Sequence, residues 1–455
     1  MSLNIATPDA LVILLYLGLL IALGLARSRG SRSSPNEYIL SGRRLSLPGF
    51  VATLVATWYG GILGVGENTF NYGIQTWVIF GLPYYFFAIL FAVFLAGRIR
   101  RQEQLSIPDH FHRHYGRYPG ILSAVFLLFL SSPAPYILSI GILLQFVFGI
   151  SFGWALLAAT VFSLVYIWFG GFGAVVRTDI LQFVLMFAGF IILLIFAWIK
   201  IGSPLQVWQN LPVGHRDPSG GQSLQFILVW FFIALWTFVD PGFYQRCAAA
   251  RSPAVARNGI LAAVAFWLVF DLLTLFSGLY ARTVLDGGPA LFAFPRLGRE
   301  ILPPLYYGLF LTGIISTIMS TIDSLGLISA VTFGRDIVWR LKKQADPTQL
   351  SRYGLLLTAL IALLLAWQLP SVVRLWYVLG SLLVPGLLLP FLLTFSRVRL
   401  QSTAALLLMA APVIVAGGWY AAGDAGSYPL GLEPFYPGMF VSLLTAGIVG
   451  VTGRT

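Results

Sequence analysis

Charge is scarce in this chain. Only 10% of its 455 residues are Asp, Glu, Lys or Arg, against about 25% in a soluble globular domain. That shortage excludes an ordinary water-facing surface. Cysteine is nearly missing: Cys247 stands alone, so no intramolecular disulfide can form. There are four histidines. His110 and His114 share a helix face and His112 does not, and no carboxylate or thiolate completes a metal set around them. No phosphate-cradling loop and no nucleophile elbow occurs, which argues against an enzyme. The opening MSLNIATPDA holds Asp9 but neither Lys nor Arg, whereas a cleavable secretory signal starts basic. No hydrophilic stretch is long enough for a separate soluble domain.

Apolar residues are abundant, at 58%. They gather into thirteen segments, numbered 0 to 12, near 10–27, 48–72, 76–97, 120–148, 152–170, 175–199, 223–245, 258–281, 303–333, 351–369, 372–396, 401–421 and 436–452. Each is helix-length. In lipid only helices and closed barrels satisfy their own backbone, so the fold class is an all-α polytopic membrane protein. The formal charge of +12 could suit nucleic acid. The membrane reading is better, because the basic residues sit in short loops between apolar segments. Of 28 lysines and arginines, 22 fall on one set of alternate loops or its helix ends, among them Arg43, Arg44, Arg98, Arg246, Arg335, Arg340 and Arg454. The positive-inside rule then predicts an outer N-terminus and a cytoplasmic C-terminus.

Two segments read as broken. Segment 1 contains ATWYGGILGVGEN, with Gly60, Gly61, Gly64 and Gly66. Segment 6 contains WTFVDPGFYQR, where Asp240 can cap a helix that restarts at Pro241. The breaks lie five segments apart, the spacing of an inverted-repeat transporter with its site at mid-membrane. Gly and Pro are also simply common in membrane helices. Segment 8 carries STIMSTIDSLGLISAVTFGRD, Ser316 to Asp336. Thr317, Ser320 and Thr321 share one helix face. Single hydroxyls there can bond back to a carbonyl one turn earlier. Three on one face, with carbonyls from an unwound neighbour, can replace the water around a small hard cation.

These stretches resemble the sodium–solute symporter family. GGFGAVVRTDILQ, Gly170 to Gln182, is similar to that family's entry into segment 5. STIMSTIDS with GRDI resembles its segment 8. LSIPDHFHRHYG resembles the loop before segment 3, and QRCAAA the end of segment 6. The resemblance implies a LeuT-like fold of five plus five helices in a single transporter domain. Segment 0 precedes repeat one near 48–199, repeat two lies near 223–396, and extra helices lie near 401–452. It implies Na⁺ as coupling ion, with no organic cofactor. Its sodium ligands fall on the carbonyls of Ala56, Tyr59 and Thr317 and the hydroxyls of Ser320 and Thr321. The acid near its sodium exit falls on Asp179.

Other residues are weighed on their own chemistry. Asp179 is an acid in a membrane helix, functional by default, or else paired with Arg177. Asp323 either supports the sodium site or bonds a neighbouring helix. Glu67 shares a face with Gly60, Gly64 and Asn71, and either contacts solute or ties helices together. Asp240 is a cap or a ligand, and Asp271 is a bond between helices. Trp58, Trp77 and Trp236 lie on segments expected to line a cavity. Acids beside aromatic faces suit an ammonium group, whereas helix N-termini at the breaks suit an anion. The expected activity is sodium-driven import of a small organic solute across the cytoplasmic (inner) membrane by alternating access. The expected partners are the solute, sodium and lipid, with no nucleic acid. A proton-coupled or uncoupled carrier and a non-transporting sensor of the same fold are the alternatives.

Overall fold

The computed structural model describes residues 5–25, 35–102, 104–342, 346–369, 371–396, 398–424 and 427–452. Arg454 and some of the other loop arginines counted above lie outside them. Ten of the described helices are long and apolar enough to cross a membrane, or eleven when the bent pair Leu47–Trp58 and Ile62–Tyr72 is taken as one crossing. Two further apolar helices, Phe152–Leu164 and Phe435–Ile448, are shorter. All thirteen apolar segments therefore carry helix, but two of those helices fall short of full crossing length.

Both expected breaks are present, and they differ. In segment 1 the helix Leu47–Trp58 starts on a Ser46 cap and stops at Tyr59. It resumes at Ile62 with a bend of 58°. Glycine is required here by crowding: a Cβ on Gly61 would lie 2.0 Å from the Trp376 ring, and one on Gly60 2.5 Å from the Thr321 Cβ. Segment 6 is split into Leu224–Ile233, Trp236–Val239 and Pro241–Ala249. The Asp240 carboxylate accepts the Phe243 N–H at 2.9 Å, and Pro241 occupies the position where a missing N–H costs nothing.

Segments 4 and 5 run together as Phe152–Ile201, turning at Gly171, whose φ is 56°. A Cβ there would meet the Tyr38 carbonyl at 2.6 Å, so both space and backbone demand glycine.

Segment 8, Tyr306–Val331 with a π-helical extension Thr332–Trp339, is the axis of the fold. Its whole apolar window is buried, against segments 0, 1, 3, 4, 5, 6 and 9. Small residues let segment 5 come close: a Cβ on Gly313 would lie 3.3 Å from the Gly189 Cα. Segment 0 anchors the start of segment 8. Asp9 is buried, and its Oδ1 accepts the N–H groups of Leu305 at 2.9 Å and Gly308 at 2.8 Å. It serves as a helix cap supplied from 296 residues away.

Three residues counted as loop charges are not solvated. Arg246, Arg335 and Arg340 turn inward because buried carboxylates and carbonyls await them. Arg335 and Arg340 both bind Asp109, which closes a capping box on the loop helix Ile107–Tyr115. Burial alone would raise the Asp109 carboxyl, but the two guanidinium groups hold it below its usual range.

Candidate functional site

A polar layer crosses the protein where segments 1, 5, 6 and 8 meet. Asp179 is fully buried at its centre. Ser320 Oγ donates to its Oδ1 at 2.6 Å, and Thr53 Oγ1 donates to its Oδ2. Arg246, also fully buried, approaches the same Oδ2 at 3.8 Å. The expected alternative partner, Arg177, is engaged elsewhere, donating to the Leu23 carbonyl at 3.2 Å. Arg246 Nη2 also donates to Thr57 Oγ1 at 2.6 Å, Ser324 Oγ at 2.8 Å and Thr53 Oγ1 at 3.0 Å, and Nη1 to the Gly242 carbonyl at 3.2 Å. One guanidinium thus ties the inner half of segment 6 to segments 1 and 8.

The hydroxyls of segment 8 divide. Ser316 and Thr317 bond back to the Gly313 carbonyl at 2.9 and 2.7 Å. Ser320 and Thr321 reach outward instead. Thr321 Oγ1 donates to the Thr57 carbonyl at 2.8 Å, across to the break in segment 1, and also to its own helix at the Thr317 carbonyl, 3.3 Å away. Ala56 and Tyr59 flank Thr57 and are buried beside it. A helix end leaves its last carbonyls without intrahelical partners, and Ala56 and Thr57 fall in that last turn. Thr317, Ser320, Thr321 and Asp179 therefore lie in one layer with the end of the helix Leu47–Trp58, which carries Ala56 and is capped at Tyr59. The donor set is all oxygen, the chemistry that suits a hard cation.

Beside this layer lies a cavity of about 120 Å³ between segments 1, 2, 3, 6, 7, 8 and 10. Trp58, Trp77, Tyr84, Trp236, Phe243 and Trp376 supply much of its wall. Trp58 meets Tyr84 edge-on with ring centroids 4.9 Å apart, and Phe243 at 5.8 Å. Three ionisable groups other than tyrosines line the cavity: Asp240, Arg246 and Asp271. Asp240 does so while capping its helix. Asp271 bonds helix to helix, as its sequence context suggests: Tyr85 of segment 2 donates to its Oδ2.

Glu67 does not line this cavity. Gly61, Val65 and Thr69 do. Gly64, Glu67 and Asn71 all lie on the restarted helix Ile62–Tyr72, and its neighbouring face, through Val65 and Thr69, is the one turned to the cavity. Asp323 is buried among the helices around segment 8. His110 makes a polar contact: its Nε2 lies 2.8 Å from the Tyr244 hydroxyl. Among the described residues no three His, Cys, Asp or Glu side chains converge as metal ligands.

Sequence reasoning gave no site role to Arg246, Thr53, Thr57 or Ser324. An arginine six residues past a helix-capping aspartate, inside an apolar segment, was the available signal for the first. The three hydroxyls look like ordinary filler until Asp179 is placed among them.

The family model "Sodium:solute symporter family" matches residues 38–411. Sodium/pantothenate symporter of Haemophilus influenzae is 28% identical over 389 residues, covering 80% of this chain and 79% of that one. Sodium/proline symporter of Escherichia coli is 27% identical, covering 80% and 77%. Among solved structures, a substrate-bound, outward-open Na⁺-coupled sialic acid symporter superposes with a TM-score of 0.82, covering 98% of this chain and 97% of that one at 16% identity. With the family model spanning most of its length, and with the broken helices and oxygen-lined layer in place, this chain belongs to the sodium:solute symporter family.

Proposed function

We propose that the protein imports a small organic solute by coupling it to inward sodium flow. One observation carries the mechanistic reading. Ser320 and Thr321 of segment 8 meet the broken end of segment 1 beside a buried carboxylate, with Thr321 Oγ1 2.8 Å from the Thr57 carbonyl and Ser320 Oγ 2.6 Å from Asp179.

In this reading sodium takes the carbonyls of Ala56, Tyr59 and Thr317 and the hydroxyls of Ser320 and Thr321. Asp179 receives it on the way to the cytoplasm. Arg246 neutralises part of that carboxylate's charge, so the ion passes instead of being trapped. The solute occupies the aromatic cavity, with Trp236 and Asp240 in its wall and Glu67 outside it. Tyr59 joins the two sites. Its carbonyl faces sodium, and its hydroxyl donates to the Trp267 carbonyl at 3.0 Å on the cavity side. Each ligand then tightens the other, reciprocally. Segments 1, 2, 6 and 7 rock against segments 3, 4, 8 and 9 to open the site to alternate sides. Thirteen crossings, counting the two short helices, would put the termini on opposite sides of a membrane that the protein spans as one domain, and the basic bias of alternate loops supports an outer N-terminus and a cytoplasmic C-terminus.

Purified protein in proteoliposomes should accumulate its solute only with an inward sodium gradient. Equal accumulation with potassium replacing sodium would discard sodium coupling and leave an uncoupled or proton-coupled carrier.

A further inference from the structure

Two buried-site carboxylates face each other's problem and solve it differently. Asp179 has Arg246 beside it and two hydroxyl donors. Asp271 has no lysine or arginine within ion-pair distance among the described residues. Its hydrogen-bond partners are neutral hydroxyls: Tyr85, which in turn accepts the Trp77 indole N–H at 3.2 Å, and Tyr59. A carboxylate at the wall of an apolar cavity is costly unless a cation compensates it. The other two charged groups of the wall are already engaged. Asp240 accepts the Phe243 N–H, and Arg246 donates to two carbonyls and three hydroxyls.

The surroundings of Asp271 suit one class of cation. Trp267 lies one turn before it on segment 7 and packs, tilted by 33° with ring centroids 5.0 Å apart, on Trp58, which lines the cavity. Trp77 lines it from segment 2. Indole faces attract ammonium groups, while a strongly hydrated metal ion needs more oxygen donors than these rings offer.

We propose that Asp271 is the anchor for a protonated or quaternary amine on the transported solute, with Trp58 and Trp77 as its aromatic walls and Tyr85 fixing the carboxylate. This rests on the solute reading above and narrows it to amine-bearing solutes, zwitterions included. It also moves the anionic determinant away from Glu67 and Asp240.

The test uses the full-length protein in detergent with saturating sodium. The readout is the thermal shift caused by charged compounds and their carbon isosteres: choline against 3,3-dimethylbutanol, and proline against cyclopentanecarboxylate. Choline or proline should stabilise the wild type where its isostere does not. Asp271→Asn should weaken that amine's binding by about 30-fold or more, the loss expected when one partner of a buried charge pair is removed. Asp271→Glu should retain most of it. The sodium-induced shift, measured without solute, should survive in Asp271→Asn and shows that the variant is folded. If neither amine binds, if the isosteres bind as well, or if Asp271→Asn binds the amine unchanged, the proposal is wrong. Absence of any sodium-induced shift in the wild type would instead strike at sodium coupling, independently of Asp271.

Discussion

Ser320 Oγ donates to Asp179 Oδ1 across 2.6 Å, joining segment 8 to segment 5 at the depth where segment 1 is broken. The same face of segment 8 presents Thr321 to the Thr57 carbonyl. Replacing both hydroxyls, as Ser320→Ala with Thr321→Ala, should raise the sodium concentration for half-maximal uptake by at least about tenfold, equivalent to about 1.4 kcal/mol. The fold should tolerate it, since an interhelical hydroxyl bond in a membrane is worth about 0.6 kcal/mol on average. Sodium titration of uptake in a well-expressed double variant checks this; an unshifted curve would return both hydroxyls to a packing role.

Asp179→Asn keeps the shape of the carboxylate and removes its charge. It should slow sodium-driven uptake while leaving equilibrium solute binding nearly intact, because Asp179 does not line the aromatic cavity. Wild-type transport rates in this variant would make Asp179 structural.

Arg246→Ala should be far more damaging to the fold. Removing one partner of a buried pair costs about 3–5 kcal/mol, because the other charge is left uncompensated. Pairing Arg246→Met with Asp179→Asn should recover much of the loss. Thermal melting of the three variants in one detergent decides it, and additive losses in the double variant would show that the two residues are not energetically linked.

His110 gives a pH dependence with a definite sign. Burial pushes its imidazole down to about 3, whereas an exposed histidine titrates near 6.5. Between those values the unfolded chain binds the extra proton, so native stability falls as pH drops from about 6.5 toward 3. Above 6.5 His110 should contribute no slope. Melting temperatures of wild type and His110→Gln across that window should diverge near neutrality and converge in acid. Parallel curves would remove His110 from the account.

Tags at the two ends test the crossing count. An N-terminal tag should react with a membrane-impermeant reagent on intact cells, and a C-terminal tag only after lysis. Both tags on one side would mean an even number of crossings.

Much of the fold was legible because hydrocarbon imposes simple rules. Apolar length gave the helices, and the Gly60–Gly61 and Asp240–Pro241 signals gave both breaks. The serine and threonine row on segment 8 pointed to its own importance. What escaped was set by tertiary placement. Glu67 was placed on a helix face by periodicity, and periodicity alone does not tell which face of Ile62–Tyr72 meets the cavity. Arg246 was read as a loop charge because nothing local reveals that Thr57 and Ser324 lie waiting 2.6 and 2.8 Å away. Asp9 was noted only at the chain's start, and a cap reaching segment 8 from there has no local signature. Asp271 looked like a strut, and it is one; that the same carboxylate also faces the cavity depends on how segment 7 is rotated.

Segment 8 is enclosed by protein along its entire apolar window, and that bears on how the molecule is made. A helix carrying Ser316, Thr317, Ser320, Thr321, Asp323 and Ser324 is a poor resident of bare lipid. Segments 0, 1, 3, 4, 5 and 6, all packed against it, precede it in the chain, and synthesis delivers N-terminal parts first. The receiving slot is therefore already in the bilayer when the hydroxyl-rich helix emerges from the ribosome. Of the segments packed on it only segment 9 follows, so the polar helix comes after most of its shelter.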